Sequence, residues 1–537
     1  MKLNEQGVKN RAPWEAAGYS LPEFDRDAVR KNTLAHPEWI HFGAGNIFRA
    51  FQANVMQKLL NRGIAKTGLL VAEGFDYEII EKLNRKVDDY SILVTLKADG
   101  SIEKSVTGSI VGSYVLDRGD EESFEALRGI FTNPSLKMAS FTITEKGYAV
   151  KNPEGEILPA IRADFEAGPD RASCYLGKVV SLLYARFLAG ELPIAMVSMD
   201  NCSHNGDKLF AAVDAFARAW EEAGLAPKEF TEYVNNREKV SFPWSMIDKI
   251  TPRPDAKVTE ILKADGVEDL DLIVTGKHTY LSQFVNAEEA EYLVIEDAFP
   301  NGKLPLDEAG IIYTARETVD KVEKMKVCTC LNPVHTSLAV FGCLLGYEKI
   351  SEEMKDGLLK KLAYRVGETE GLPVVVDPGI IRPKDFLKEV LTSRIPNPFM
   401  PDTPQRIATD TSQKLSIRFG ETIKAYRAAD PEKLGELKAL PLVFAGWLRY
   451  LLGVDDSGKE FEISPDPMLP FLSEKMKGIK LGQTEGASDA VSSLLKNEAI
   501  FGVDLFEAGL AGQVTGYFES MLKGPGAVRE TLEKVLS

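Results

Sequence analysis

Several stretches of the sequence place charged, amide or proton-carrying side chains directly after apolar runs. They are Gly43-Ala44-Gly45-Asn46-Ile47-Phe48-Arg49, Thr142 through Tyr148, Ser198-Met199-Asp200-Asn201, Phe242 through Pro252, and Lys326 through His335. The last brings a lysine, an asparagine and a histidine into one short segment. Those types can exchange a proton, donate amide N–H groups and orient a hydroxyl. The ends of apolar strands are where an α/β sheet presents residues that bind ligands.

The elements that must position these residues are legible from hydrophobic periodicity. Trp39-Ile40-His41-Phe42 reads as a buried strand running into Gly43-Ala44-Gly45. A helix follows from Phe48 to Asn61, apolar at Phe48, Phe51, Val55 and Leu59, and stops at Gly63. Gly68 to Ala72 is a second strand, ending in Glu73. Strand, glycine turn, helix, strand and acid make one βαβ unit. Such a turn lets backbone N–H groups approach a pyrophosphate. Glu73 or Asp76 is then expected to accept from ribose hydroxyls and to repel a 2′-phosphate, which favours NAD over NADP. The alternative is a tight turn without a ligand, since Phe48 holds the third glycine position.

Strand-like runs continue at Ser91–Leu96, Ser105–Val115, Lys137–Ile143 and Pro193–Ser198, and helical periodicity dominates after about residue 305. The expected architecture is a Rossmann-like α/β domain over 1–305, its first 37 residues an arm packed on the body, and a mainly α-helical domain over 306–537.

The net charge of -16 argues against nucleic acid or an anionic membrane as partner. Apolar runs such as Leu442 to Leu448 fall short of the roughly 20 residues of a membrane span, and no signal core follows Met1. A cytoplasmic protein, monomeric or a small homo-oligomer, is expected. The five cysteines form no disulfide pattern. Cys328-x-Cys330 has no second ligand pair nearby, so no metal is expected.

Taken together and in order, the polar segments resemble the polyol-specific long-chain dehydrogenases over residues 36 to 420. Gly43 through Arg49 resembles the nucleotide turn of that family, and Thr144-Glu145-Lys146-Gly147-Tyr148 and Asp200-Asn201 its inner-strand motifs. Glu323 through His335 is similar to the catalytic segment, and Arg406-Ile407-Ala408, Asp410, Ser412 and Lys414 to the substrate-site helix. The resemblance implies metal-independent hydride transfer between NAD and a sugar acid or polyol. Lys326 would move the proton, its pKa lowered by partial desolvation near a cationic nicotinamide. Asn201 and Asn332 would donate to the oxygen that develops charge, His335 would orient the substrate, and Glu323 would pass the proton to solvent. The turn residues Gly43, Gly45, Asn46, Ile47, Phe48 and Arg49, with Glu73, Asp76 and Glu145, would hold the cofactor, and Asp248, Arg406 and Lys414 the substrate.

Plainer readings stand beside these. Lys326, between Met325 and Val327, reads equally as a strand lysine reaching to solvent. Arg406, Asp410 and Lys414, at i, i+4 and i+8, read as ion pairs on a helix surface. Asn332-Pro333 reads as N-cap and N1 of the next helix. Two features depart from the family pattern. Pro333 stands where a small residue is usual, and the Lys326–Asn332 interval is one residue longer, so a bulge or shifted helix start must absorb it.

Within the family, the long lead-in and the Cys-Thr-Cys-Leu-Asn-Pro-Val-His segment look most like the fructuronate-reducing branch. That implies NADH-dependent reduction of fructuronate to mannonate. Mannitol/fructose and tagaturonate are the next alternatives, and a non-catalytic NAD-binding regulator is the alternative of another class.

Overall fold

A computed structural model describes residues 1–537. The chain folds as two compact units: Met1–Leu96 with Ser101–Asp320, and Lys321–Ser537 with the short turn Lys97–Gly100. The division lies later than the 305/306 boundary expected from helical texture. Ile312–Thr314 is a strand, paired in parallel with Tyr292–Glu296, and this ties the segment to the first unit.

The first unit is built on a six-stranded parallel sheet. Its strands are β1 (Trp39–Phe42), β2 (Leu69–Glu73), β3 (Ile110–Val115), β4 (Met138–Phe141), β5 (Ile194–Ser198) and β6 (Val240–Ser241). They lie in the order β3-β2-β1-β4-β5-β6, all pairs parallel. This is the doubly wound dinucleotide-binding order, with its switch point at the carboxyl ends of β1 and β4. Every residue of β1, β2, β4 and β5 is buried, as expected of a parallel sheet covered on both faces. His41 is tolerated in β1 because its nitrogens meet Ser140 Oγ at 2.6 Å and Thr142 Oγ1 at 2.8 Å. Burial pulls this imidazole down to about 3, so it is neutral and structural.

The run expected as one strand over Ser105–Val115 is two, Ile102–Thr107 and β3, broken at Gly108-Ser109. Ser91–Leu96 joins a separate sheet with Ile102–Thr107, Phe284–Glu288 and Tyr19–Ser20. The N-terminal arm is folded within this unit, with Trp14 buried and Tyr19–Ser20 paired to Lys104–Ser105. After the glycine turn the helix opens as a π-helical turn, Phe48–Gln52, before α1 (Ala53–Asn61).

The chain leaves the first unit within α2 (Arg316–Met325). It continues through a π-helical turn, Lys326–Cys330, into α3 (Asn332–Leu345). The continuous run Arg316–Leu345 is long and apolar enough to cross a membrane, although charged residues interrupt it. Its most apolar window is 72% buried, as in the core helix of a soluble protein. The remainder of the second unit is helical and includes Ala439–Tyr450, whose residues are all buried, and Ala527–Leu536.

Candidate active site

In the first unit the candidate nucleotide-binding residues gather at the carboxyl ends of β1, β2, β4 and β5. Gly43 has φ +111°, and a Cβ there would collide with the carbonyl oxygen of Thr142, so the neighbouring strand demands glycine. At Gly45 a Cβ would meet nothing within 4 Å. The backbone is therefore open on that side, as a pyrophosphate approach requires. Asn46 carries a buried Oδ1 with no hydrogen-bond partner. Nearby, the ring of Tyr175 would stand 2.6 Å from a Cβ at Gly74, and its hydroxyl is also buried and unpartnered. Open backbone and two orphaned polar atoms fit a dinucleotide.

Several expected ligands are turned elsewhere. Glu73 is 5% exposed and fastens the turn, accepting from the backbone N–H of Ala44 and Phe75 at 2.8 Å and of Asp76 at 3.1 Å. Burial raises its carboxyl, and those N–H groups oppose the rise. Asp76 accepts from Thr275 Oγ1 at 2.6 Å. The expectation that either acid meets a ribose is corrected: both carboxylates are engaged inside the fold. Arg49 is buried and reaches Ser91 Oγ at 3.0 Å and the carbonyl of Ser282 at 2.8 Å, so it is a structural tie to the second sheet. Phe48 stacks on His41 in the core, which leaves only its backbone for a ligand. Ile47 is partly exposed at the helix start, and Glu145 is exposed and paired with Lys208.

Asn201 is exposed at the end of β5. The preceding Asp200 accepts from the backbone N–H of Ile143 and Thr144, each at 2.9 Å, and from Tyr148 Oη at 2.6 Å. It thereby holds Thr144 at φ +67°, a conformation strained by roughly 1–3 kcal/mol in a β-branched residue. Asn205 fixes the far side of this loop with bonds to the carbonyls of Asp200 and Ser245 at 3.0 Å. Asp248 is buried at the end of the strand Ser245–Asp248.

In the second unit, Lys326 is 2% exposed and begins the π-helical turn, so the strand reading of this lysine is corrected. The π turn takes up one more residue than an α turn, which is the bulge the longer Lys326–Asn332 interval demands. Glu323, three residues earlier and partly exposed, lies on the same helical side. The N-cap of α3 is Leu331, with no side-chain cap bond, and Pro333 occupies the first turn. The capping reading of Asn332 is thereby corrected: its amide is not spent on the helix. His335, one turn into α3, lies with Nε2 3.2 Å from Asp402 Oδ2.

Arg406 pairs with the other oxygen of Asp402. Asp410 is left-handed, at φ +55°, and breaks the segment after the short helix Pro404–Ile407. The helix-surface ion-pair reading fails for that reason. Lys414 instead donates to the carbonyls of Thr409 and Ile407. Burial and the nearby Arg418 bring its amine down to about 8. Arg418 donates to Thr336 Oγ1, beside His335. Burial and the cations Arg418, Arg406, Arg394 and Lys414 lower the pKa of His335 and hold its ring neutral. Asp402, Arg394 and Arg418 escaped the sequence reading. The only signal was that Arg418 follows Lys414 by four residues.

Cys330 is buried with Sγ 3.7 Å from the carbonyl of Pro383. No three His, Cys, Asp or Glu side chains converge as metal ligands.

Residues 37–308 match the family model of the mannitol dehydrogenase Rossmann domain, and residues 318–522 that of the mannitol dehydrogenase C-terminal domain. The chain belongs to the mannitol dehydrogenase family. Like its relatives it is an oxidoreductase acting on CH–OH groups. The D-mannonate oxidoreductase of Thermotoga maritima is 50% identical over 100% of this chain and 99% of its own length. That of Escherichia coli is 28% identical, covering 91% and 96%. Mannitol 2-dehydrogenase of Aspergillus fumigatus is also 28% identical, covering 94% and 93%. Among solved structures, Pseudomonas fluorescens mannitol 2-dehydrogenase in ternary complex with NAD and D-mannitol superposes with a TM-score of 0.69. It is 26% identical, over 100% of this chain and 99% of that one. D-sorbitol dehydrogenase gives a TM-score of 0.81 at 24% identity, over 98% and 100%, a likeness of fold. The Rossmann-like and helical architecture expected from the sequence stands.

Proposed function

We propose that this chain reduces fructuronate to mannonate with NADH, reversibly and without a metal, in hexuronate catabolism. The observation that carries the reading is the excess of cations around His335 in the second unit. Arg394, Arg406, Lys414 and Arg418 surround a neutral imidazole, a setting suited to a sugar that bears a carboxylate. The full-length similarity to a D-mannonate oxidoreductase supports the same substrate class.

NAD(H), when bound, supplies the hydride in reduction and accepts it in oxidation. Gly45 would open the backbone to its pyrophosphate, Asn46 Oδ1 would accept from a hydroxyl of the dinucleotide, and the Tyr175 hydroxyl would be free to donate to it. The buried charges of Glu73 and Asp76 beside the turn disfavour a 2′-phosphate. Lys326 would give the proton to the ketone oxygen of the substrate, and Glu323 on the same helical side would restore it from solvent. Asn332, free of capping, donates N–H to the developing alkoxide, with Asn201 as the further amide donor. His335 holds a substrate hydroxyl. Arg406 and Lys414, with Asp248, bind the remote hydroxyls. We place this activity in the cytoplasm, in a monomer or small homo-oligomer.

The reading is tested in the oxidative direction, by NADH formed from NAD with D-mannonate and with D-mannitol as separate substrates. Faster turnover of mannonate is expected. Mannitol as the better substrate would move the assignment to a mannitol 2-dehydrogenase. Tight NAD binding with no turnover of either, nor of tagaturonate in reverse, would leave a non-catalytic regulator.

A further inference from the structure

Several arginines in the second unit are answered by acids or by rings of carbonyls, whereas Arg418 is not. Arg406 meets Asp402, Arg365 meets Glu370 at 3.2 Å, and Arg529 meets Asp356 at 2.6 Å. The fully buried Arg449 is satisfied by the carbonyls of Met521, Val454 and Asp455. Arg418 has one protein partner, the neutral hydroxyl of Thr336, and no carboxylate pairs with it. A guanidinium carries five N–H donors, so most of this one is unused. Burial lowers its basicity to about 10, yet the side chain keeps partial exposure, as a group lining a recess does. A charge drawn out of water without a counter-ion is costly, and proteins keep such a charge where a ligand supplies the partner.

Its placement is fixed on two sides. Arg418 lies in the π-helical turn Ser416–Gly420. Gly420 in that turn is pressed so close to the carbonyl of Phe501 that a Cβ would collide with it. At the other end the guanidinium is tethered to Thr336, which is fully buried and follows His335 directly in α3. The free N–H groups are thus held next to the residue that orients the substrate. Arg406 and Lys414, by contrast, already share their donors with Asp402 and with backbone carbonyls.

We propose that Arg418 is the specificity-determining residue that binds the substrate carboxylate through a forked pair of N–H···O bonds, selecting sugar acids over uncharged polyols. This rests on the uronate reading above. A planar carboxylate matches the guanidinium fork and supplies the missing counter-ion, whereas a hydroxymethyl group does neither.

The test uses the full-length enzyme with NADH and compares wild type with Arg418→Met and Thr336→Val. Arg418→Met keeps the length and apolar stem of the side chain, and Thr336→Val keeps its shape while removing the tether. For Arg418→Met, KM for fructuronate and the inhibition constant of mannonate should both rise about 100-fold, the scale of a lost charge-assisted bidentate contact. The value of kcat should fall by less than about tenfold, and the Kd of NADH should not move. Thr336→Val should raise the same KM to a smaller extent. Unchanged KM in a folded Arg418→Met enzyme that still reduces fructuronate would overturn this inference and leave the uronate reading intact. So would a shift in NADH affinity that matches the loss. A wild-type enzyme that neither reduces fructuronate nor is inhibited by mannonate would overturn the uronate reading, and this inference with it.

Discussion

The imidazole Nε2 of His335 lies 3.2 Å from Oδ2 of Asp402, whose other oxygen is held by Arg406. A neutral ring donates its Nε2–H to that carboxylate and leaves Nδ1 as an acceptor for a substrate hydroxyl. In the proposed reaction Asp402 is therefore a positioning residue that acts through His335. Asp402→Asn keeps the shape but lets the ring take the wrong tautomer. Turnover should fall about 10- to 100-fold, the range for loss of an orienting partner, with NADH affinity unchanged. Unaltered turnover would detach Asp402 from this role.

Lys326 is the proton donor in the proposed reaction. Lys326→Ala should lower kcat by at least about 10²-fold, the ordinary contribution of a positioned acid–base group. Fluorescence titration should show NADH still binding. Retained turnover would remove Lys326 from the proton path.

The amine of Lys414 titrates near 8 because burial and Arg418 disfavour its charge. Its pKa is lowered, so the cation is present below that value and is lost as pH rises through it. KM for an anionic sugar should thus climb above about pH 8, while KM for fructose changes less. Lys414→Arg, charged at every working pH, should move the rise upward. A pH-independent KM for fructuronate between 7 and 9 would exclude Lys414 from substrate binding.

The two glycines of the nucleotide turn should separate stability from cofactor binding. Gly43→Ala puts a Cβ against the Thr142 carbonyl at φ +111°, and a loss of roughly 1–3 kcal/mol of stability is expected, read as a lower Tm. At Gly45 the Cβ has open space, so Gly45→Ala should melt like wild type without cofactor yet bind NADH less tightly. The reverse pattern would place the pyrophosphate elsewhere.

The parallel sheet was legible because β1 and β2 are continuous apolar runs separated by a glycine turn and a periodic helix, a local signal. The segment proposed for catalysis stood out for the same reason: Lys326, Asn332 and His335 fall close together in the chain. The π-helical turn at Lys326–Cys330 was not, since composition does not distinguish a shifted hydrogen-bond ladder from an α-helical one. Glu73 was misread because an acid after the second strand suits a ribose contact and a backbone clasp equally, and burial alone separates them. Asp402 and Arg418 escaped because their partners, His335 and Thr336, are far away in sequence; for Arg418 the separation is 82 residues.

The central claim is that a carboxylate-bearing ketose is the substrate. The most direct measurement is the initial rate of NADH oxidation, followed by its absorbance, with fructuronate, tagaturonate and fructose offered separately to the full-length protein. The highest kcat/KM is predicted for fructuronate, with fructose lowest. Fructose as the best substrate would contradict the account.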